Sequence, residues 1–353
     1  MKIIQVGAGS WGASWLRIVQ HSPQWELAAL VEIDVAARDE AARISSLSAD
    51  RCFARLEDAL DAGIEADTAL VIVPPPFHAP VTIAALESGL HCLIEKPLAD
   101  TMSAAREIVA AVDRTGRRAM VSQNYRFKRA PRTVRRLIRS GVIGRVEQIR
   151  VDFQKDPPFT GFRVEMEEPL IVDMAIHHLD QIRSVTGSEL HSLRAHSWNP
   201  SWSRFAGNAC CFIEIQSEDG AQIVYTGSWV SRGRHTTWDG AWEIQGDRGC
   251  LIWDNNRVEI RFASVFDTVF LPRALERAGG VMEVQLDGVD FEERLGTLAE
   301  FADAITQGRP AETSVHDNLK SLALVLAAVE SATAGGKTID LAAMTEQADA
   351  HRD

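Results

Sequence analysis

The chain has no apolar run approaching the roughly 18 residues that a membrane span needs. Its best stretch, Leu322 to Val329, is far shorter and is flanked by Lys320 and Glu330. Basic charge is also in short supply. Lys and Arg number 37 against 49 Asp and Glu, a net charge of -12. Such a surface repels phosphate backbones and anionic lipid, which excludes nucleic acid and membrane as main partners. Cysteine is sparse: Cys52, Cys92, Cys210, Cys211 and Cys250 form no C-x-x-C pair. Cys210 and Cys211 are neighbours, so in a strand they point to opposite faces and would not chelate together; no metal site is expected. Lys2 leads into a short strand pattern without the long apolar segment of an export signal. With the odd cysteine count, this points to reduced thiols and a cytoplasmic location. Internal repeats and low-complexity tracts are missing too.

What is present fits an ordinary globular protein with ample core. At roughly 150 residues per domain, 353 residues imply two or three domains. The first ~120 residues alternate strand and helix signals, as βαβ units do. Strands are predicted at Lys2 to Val6, Leu27 to Val31, Thr68 to Val73, Cys92 to Ile94 and Ala119 to Ser122. Helices follow from the glycines to His21, over Ala36 to Ile44, Pro80 to Ser88 and Ser103 to Arg114. The pattern then changes. Leu190 to Ile260 reads as short alternating strands separated by turn residues, an antiparallel sheet. Helices are predicted over Pro131 to Ser140, Pro169 to Val185, Phe291 to Thr306 and Val315 to Thr333. The expected fold is an α/β Rossmann domain (1–122, doubly wound, mainly parallel sheet). An α+β domain (123–353) follows, with a large, mostly antiparallel open sheet, and the final helices are expected to pack back on the first domain.

Gly7-Ala8-Gly9-Ser10-Trp11-Gly12 matches G-x-G-x-x-G. Three glycines at this spacing are weak alone; following a strand and opening a helix, they become specific. Gly7 permits the tight turn, Gly9 the approach of a pyrophosphate, and Gly12 close helix packing. The helix start, with Ser10 and Trp11, offers N–H groups to the phosphates. Glu32 ends the second strand, twenty residues after Gly12. There a carboxylate accepts ribose hydroxyls and repels a 2′-phosphate, favouring NAD. Arg38, within reach of a phosphate, keeps NADP open.

Three further segments sharpen the picture: Val73-Pro74-Pro75-Pro76-Phe77-His78, Glu95-Lys96-Pro97 and Asp173-Met174-Ala175-Ile176-His177. With the glycine motif, Gln123-Asn124-Tyr125-Arg126-Phe127, Ser140 to Gly144 and Ala332 to Leu341, the chain resembles the glucose–fructose oxidoreductase/inositol dehydrogenase (Gfo/Idh/MocA) family. The resemblance implies a Rossmann domain, a C-terminal domain with a large open sheet, and homodimers or homotetramers. It implies a nicotinamide cofactor and a sugar or polyol substrate. It also places Lys96 by the nicotinamide and reacting carbon, Asp173 on the substrate, and His177 as the acid–base residue. Pro74, Pro75, His78 and Glu95 fall on the cofactor side, His78 with a structural role as the alternative. One small departure is Ala175, where a glycine is frequent.

These residue types suit the chemistry. Histidine titrates near neutrality and can take or return a hydroxyl proton, and an ammonium stabilises a developing alkoxide. Asp173 and His177 are i and i+4 on a helix, hence expected on one face, with His178 turned about 100° away as packing. Singly, such a lysine or acid–histidine pair is more often a solvated charge or a surface contact; the fingerprint tips the balance. Other expected substrate contacts are Arg163, in the loop before that helix, Arg126, bordering the cleft, and Trp198 and Trp238, whose faces suit sugar rings. Most of the six tryptophans from Trp198 to Trp253 are expected to be buried on a sheet face. The arginines from Arg126 to Arg139 are expected to pair with acids. Two other functions fit the same residues: an NAD-using glycosidase with no net cofactor turnover, and a non-catalytic dinucleotide sensor. A metal hydrolase using Asp173, His177, His178 and Asp180 ranks last, because the adjacent histidines cannot share one helix face.

Overall fold

The computed structural model describes residues 1–262 and 280–346. They form two compact units: 1–127 with 290–322, and 128–262 with 280–289 and 323–346.

The first unit is built on a parallel sheet of β1 (Lys2–Val6), β2 (Glu26–Val31), β3 (Cys52–Phe53), β4 (Thr68–Val71), β5 (His91–Ile94) and β6 (Ala119–Val121), in the order β3-β2-β1-β4-β5-β6. The central strands are mostly apolar, with Gln5 and Thr68 the buried polar exceptions, because helices cover both faces. Ile3, Ile4, Ala69, Leu70, Val71, Leu93 and Ile94 are all fully buried. β3 and the helix Leu56–Asp61 carry too few residues to show a period, and the sequence pattern missed them.

Register decides where function can gather. Val6 pairs with Val31 and with Val71, Val71 with Ile94, and Ile94 with Val121. The strands therefore end in line. Gly7, Glu32 and the Glu95-Lys96 pair emerge along one edge of the sheet. The strand order reverses at β1/β4, and a doubly wound sheet offers its crevice at the carboxyl ends beside that reversal.

The first compact unit runs on to Phe127, which is buried in its core. Leu298 and Phe301, from the helix Glu293–Thr306, join Trp15, Val19 and Trp25 in the same cluster. Trp25 stacks on Phe301 at 6.2 Å and donates its indole N–H to the Leu298 carbonyl at 2.9 Å. The helix Val315–Thr333 begins in the first unit and ends in the second.

The second unit is a nine-stranded sheet. Its strands are β7 (Val146–Gln154), β8 (Leu190–Trp198), β9 (Cys210–Ser217), β10 (Gln222–Ser228), β11 (Ala241–Gly246), β12 (Gly249–Asp254), β13 (Arg257–Phe262), β14 (Val281–Val284) and β15 (Ile339–Asp340). The order is β14-β13-β12-β11-β7-β10-β9-β8-β15, and among the described residues only β7 and β10 of this sheet pair in parallel. Alternation along β7 and β13 puts Ile149, Val151, Phe153, Val258 and Ile260 on the buried face. The helices Arg129–Arg139 and Ile176–Thr186 pack together, and the former also contacts β12 and β13. Of the six tryptophans, Trp229, Trp242 and Trp253 are buried, whereas Trp198, Trp202 and Trp238 are exposed. The basic segment pairs with acids as anticipated: Lys128 with Asp239 at 2.8 Å and Arg136 with Asp287 at 2.7 Å.

Candidate functional site

In the first unit, the three fingerprint glycines are required for different reasons. Gly7 has φ +99°, and a Cβ there would lie 2.1 Å from the Ile72 carbonyl oxygen. A Cβ on Gly12 would lie 2.4 Å from the Gly7 oxygen. Gly9 differs: its φ of -56° is open to any residue, and an added Cβ would meet nothing within 4 Å. No neighbour in the fold explains a glycine at position 9. A ligand that needs bare backbone does. Gly9, Ser10 and Trp11 are exposed at the start of the helix Ser10–His21, which has no side-chain cap and no acid in its first turn. Orphan N–H groups and the positive end of the helix dipole thus face outward, a cradle suited to a pyrophosphate.

Glu32 is fixed beside this turn. Its Oε2 accepts the Ala8 N–H at 2.6 Å and its Oε1 the Asp34 N–H at 3.0 Å. A carboxylate offers about four acceptor sites, so both oxygens can still accept from ribose hydroxyls. The Arg38 guanidinium donates to the Glu32 backbone carbonyl at 2.6 Å, which anchors it at the same strand end. Glu32→Ala is expected to raise the dissociation constant for NAD by about 10- to 100-fold, the worth of hydrogen bonds to a charged group. The turnover number at saturating cofactor should stay near wild type. Fluorescence titration with steady-state kinetics checks this, and equal damage to both parameters would refute it.

At the end of β5, buried Glu95 accepts the Trp15 indole N–H at 2.7 Å and the Lys96 backbone N–H at 3.1 Å. Lys96 is half-buried and precedes a cis Lys96-Pro97 peptide. His78 is buried with Nδ1 2.7 Å from the Pro97 oxygen and Nε2 2.8 Å from the Val73 oxygen. Burial pushes its pKa down, against the pull of those two carbonyls. The neutral ring has one N–H and so donates to only one of these carbonyls, and it lies buried between the segment after β4 and the Lys96-Pro97 turn, the structural alternative for this residue. Pro74 and Pro75 lie in the former segment, which runs on from Ile72 beside Gly7.

In the second unit, Asp173 lies in a π-helical stretch, Leu170–Ala175, which continues directly into the α-helix Ile176–Thr186 carrying His177. The expected single-face i, i+4 geometry of a plain α-helix is therefore revised: π turns are wider, and such insertions cluster at functional sites. His177 and Asp180 are buried, and Asp173 is mostly so. Arg163 donates Nε–H to Asp173 Oδ2 at 2.6 Å, and its guanidinium stacks 5.1 Å from the Phe159 ring and 4.9 Å from that of Phe162. Phe159 contacts Trp238 at 6.4 Å, and the Lys155 ammonium sits 5.4 Å over the Trp238 ring. Asp173, Arg163 and Trp238 thus belong to one aromatic and charged cluster.

His178 fixes that cluster from behind. Its Nε2 meets the Trp238 carbonyl at 3.0 Å and its Nδ1 the Tyr225 hydroxyl at 3.2 Å. Burial pushes its pKa down to about 4, so the ring is neutral at neutral pH. A carbonyl only accepts, which assigns the N–H to Nε2 and leaves Nδ1 to accept from Tyr225. Packing, not chemistry, is the role this geometry offers His178.

Two substrate expectations are redirected. Arg126 is buried; its Nη2 donates to Asp317 at 2.8 Å and its Nη1 to the Glu312 carbonyl at 3.3 Å. Those bonds join two stretches of the first unit. Trp198 ends β8, exposed, and no ring contact among the described residues joins it to the Trp238 cluster. One residue escaped the sequence pattern altogether. Arg294 stacks 4.6 Å over the Trp11 ring and 5.3 Å over that of Trp15, with Nη1 donating to Ser14 Oγ at 2.7 Å.

Known proteins resemble both parts of the chain. Residues 1–123 match the oxidoreductase family with NAD-binding Rossmann fold, and residues 132–252 match the GFO/IDH/MocA C-terminal domain. An uncharacterised protein of Sinorhizobium fredii is 30% identical over 347 residues, covering 95% of this chain and 94% of its own. D-apiose dehydrogenase of Paraburkholderia graminis is 30% identical, over 78% of this chain and 73% of its own. Among solved structures, an oxidoreductase from Agrobacterium radiobacter, in complex with NAD+, L-tartaric acid and magnesium, superposes with a TM-score of 0.84. It is 22% identical, over 98% of this chain and 99% of that one, which establishes the shared fold.

Proposed function

The chain belongs to the GFO/IDH/MocA oxidoreductase family, and from that premise we propose that it is a dehydrogenase or reductase acting on a secondary alcohol of a sugar, sugar derivative or cyclic polyol. The observation that carries the cofactor half is Gly9, the fingerprint glycine that no neighbour in the protein requires. Gly7 to Gly12 would hold the pyrophosphate and Glu32 the adenosine ribose, with NAD preferred because a carboxylate repels a 2′-phosphate. When bound, the nicotinamide supplies the hydride acceptor or donor.

The protein's share is proton handling and charge. In the oxidative direction the substrate hydroxyl gives its proton to the His177 imidazole. The Lys96 ammonium offsets the negative charge that grows on that oxygen. A hydride, carrying two electrons, leaves the same carbon, and a ketone remains. Asp173, held by Arg163, accepts a hydrogen bond from a second hydroxyl and so fixes which carbon reacts. Trp238 offers an apolar face to the ring's C–H groups. D-apiose dehydrogenase, a sugar dehydrogenase among the relatives, supports the substrate class. We further propose a homodimer or homotetramer in the cytoplasm; none of the described helices is long and apolar enough to cross a membrane.

The test is a panel of sugars, inositols and sugar acids with NAD and with NADP, following reduced nicotinamide by its absorbance. Stoichiometric reduction with one of these classes is expected. Glycoside cleavage without net reduction would favour the glycosidase chemistry instead, and no turnover with any member would sink the substrate class.

A further inference from the structure

The phosphate cradle lacks a charge of its own. From Gly7 to Ser14 the chain reads Gly-Ala-Gly-Ser-Trp-Gly-Ala-Ser, with no lysine or arginine. Backbone N–H groups and a helix dipole alone would face two phosphates, and a dipole is worth only about half a unit charge. A cation is nevertheless present beside it, contributed from far along the chain. Arg294 opens the helix Glu293–Thr306, and its guanidinium lies 4.6 Å from the Trp11 ring centre, inside the glycine motif. It also packs against Trp15 at 5.3 Å. Its one hydrogen bond among the described residues is Nη1 to Ser14 Oγ, at 2.7 Å. Ser14 Oγ in turn donates to the Trp11 carbonyl at 2.6 Å, so the arginine is tied to the first turn of the phosphate-facing helix.

Three details favour a ligand role over a packing role. A guanidinium has five N–H donors, and this one keeps most of them for an incoming group. Trp11, which it covers, is 46% exposed rather than part of the core. The residue before it, Glu293, holds φ +52°, a left-handed conformation that costs energy outside glycine. Strain at the residue that presents an arginine to a ligand cradle has a reason if the arginine binds something. The acids that face it are Glu95, whose carboxylate is engaged by Trp15 and the Lys96 N–H, and Glu293.

We propose that Arg294 is a phosphate-binding residue of the dinucleotide site, supplying the positive charge that the glycine motif lacks. This rests on the cofactor reading above and adds to it a ligand from outside the Rossmann sequence. The aromatic faces of Trp11 and Trp15 hold the guanidinium plane in advance, so little freedom is lost when it meets an oxyanion.

Calorimetric titration of the full-length protein with NAD and with ADP, at low and at high salt, tests it. Arg294→Met is expected to weaken both ligands by about 10- to 100-fold at low salt, and the gap from wild type should narrow at high salt as charge is screened. Arg294→Lys keeps the charge and should retain the salt dependence with a smaller loss. A merely structural arginine would give a deficit independent of salt in both variants. That result, or an Arg294→Met protein binding ADP as tightly as wild type, would overturn the assignment. A wild-type protein that binds neither ligand would instead overturn the cofactor reading and this one with it.

Discussion

His177→Ala is expected to lower the turnover number by about 10²–10⁴-fold, the usual worth of general acid–base catalysis, while NAD binds as before. The two neighbouring histidines differ in what they can do. His178 has both ring nitrogens engaged by Tyr225 and Trp238, and burial holds its pKa at about 4. It is a poor proton carrier at neutral pH. His177 stands at the start of the α-helix, directly after the π-helical stretch that holds Asp173. The two alanine variants should therefore fail differently. His177→Ala keeps its fold and loses turnover; His178→Ala leaves the Tyr225 hydroxyl and the Trp238 carbonyl without their partner and loses thermal stability. The Lys96→Met variant should also lose turnover. If Lys96 and His177 serve one transition state, the double variant will be little worse than the poorer single one, since residues that act as a unit are not additive. Fully multiplicative losses would break the proposed link between them, and a His177→Ala enzyme with near-normal turnover would remove the acid–base assignment.

The parts of the fold that could be read from the sequence are those with local signals. Apolar runs marked β1, β2, β4, β5 and β6 to within one or two residues, the first four of them ended by glycine, an acid or proline, because a parallel strand buried on both faces is mostly apolar. What stayed hidden depends on distance along the chain or on geometry without a code. Arg126 finds Asp317, and Arg294 finds Trp11, across most of the sequence. No periodicity announces a pairing of that kind. The ion pair of Arg163 with Asp173 depends on how a loop folds back onto a helix. The π-helical stretch Leu170–Ala175 has the same apolar pattern as an α-helix would, so the sequence suggested a plain one. Trp198 and Trp238 looked equivalent as sugar platforms; only the sheet layout separates a strand end from a loop packed on His178.

The glycine motif yields the other large effect, because one substitution at two positions should damage two different properties. At Gly12 an alanine methyl would sit 2.4 Å from the Gly7 carbonyl oxygen, a backbone atom that cannot swing aside. The helix must move off the strand, and overpacking of this kind costs about 1–3 kcal/mol or more. Gly12→Ala should therefore show a lower Tm, with weaker cofactor binding as a consequence. At Gly9 the methyl would meet nothing, and the backbone angles suit alanine. Folding stability should stay within about 0.5 kcal/mol of wild type, as for a surface substitution, because alanine also loses less conformational entropy on folding than glycine. The cost appears only when a pyrophosphate must approach the bare backbone. NAD affinity should then fall by at least about tenfold, roughly one lost hydrogen bond to a charged group. Thermal melts and NAD titration of both variants separate these outcomes. A Gly9→Ala protein that melts normally and binds NAD normally would mean that the open space at this position is not where the phosphates lie.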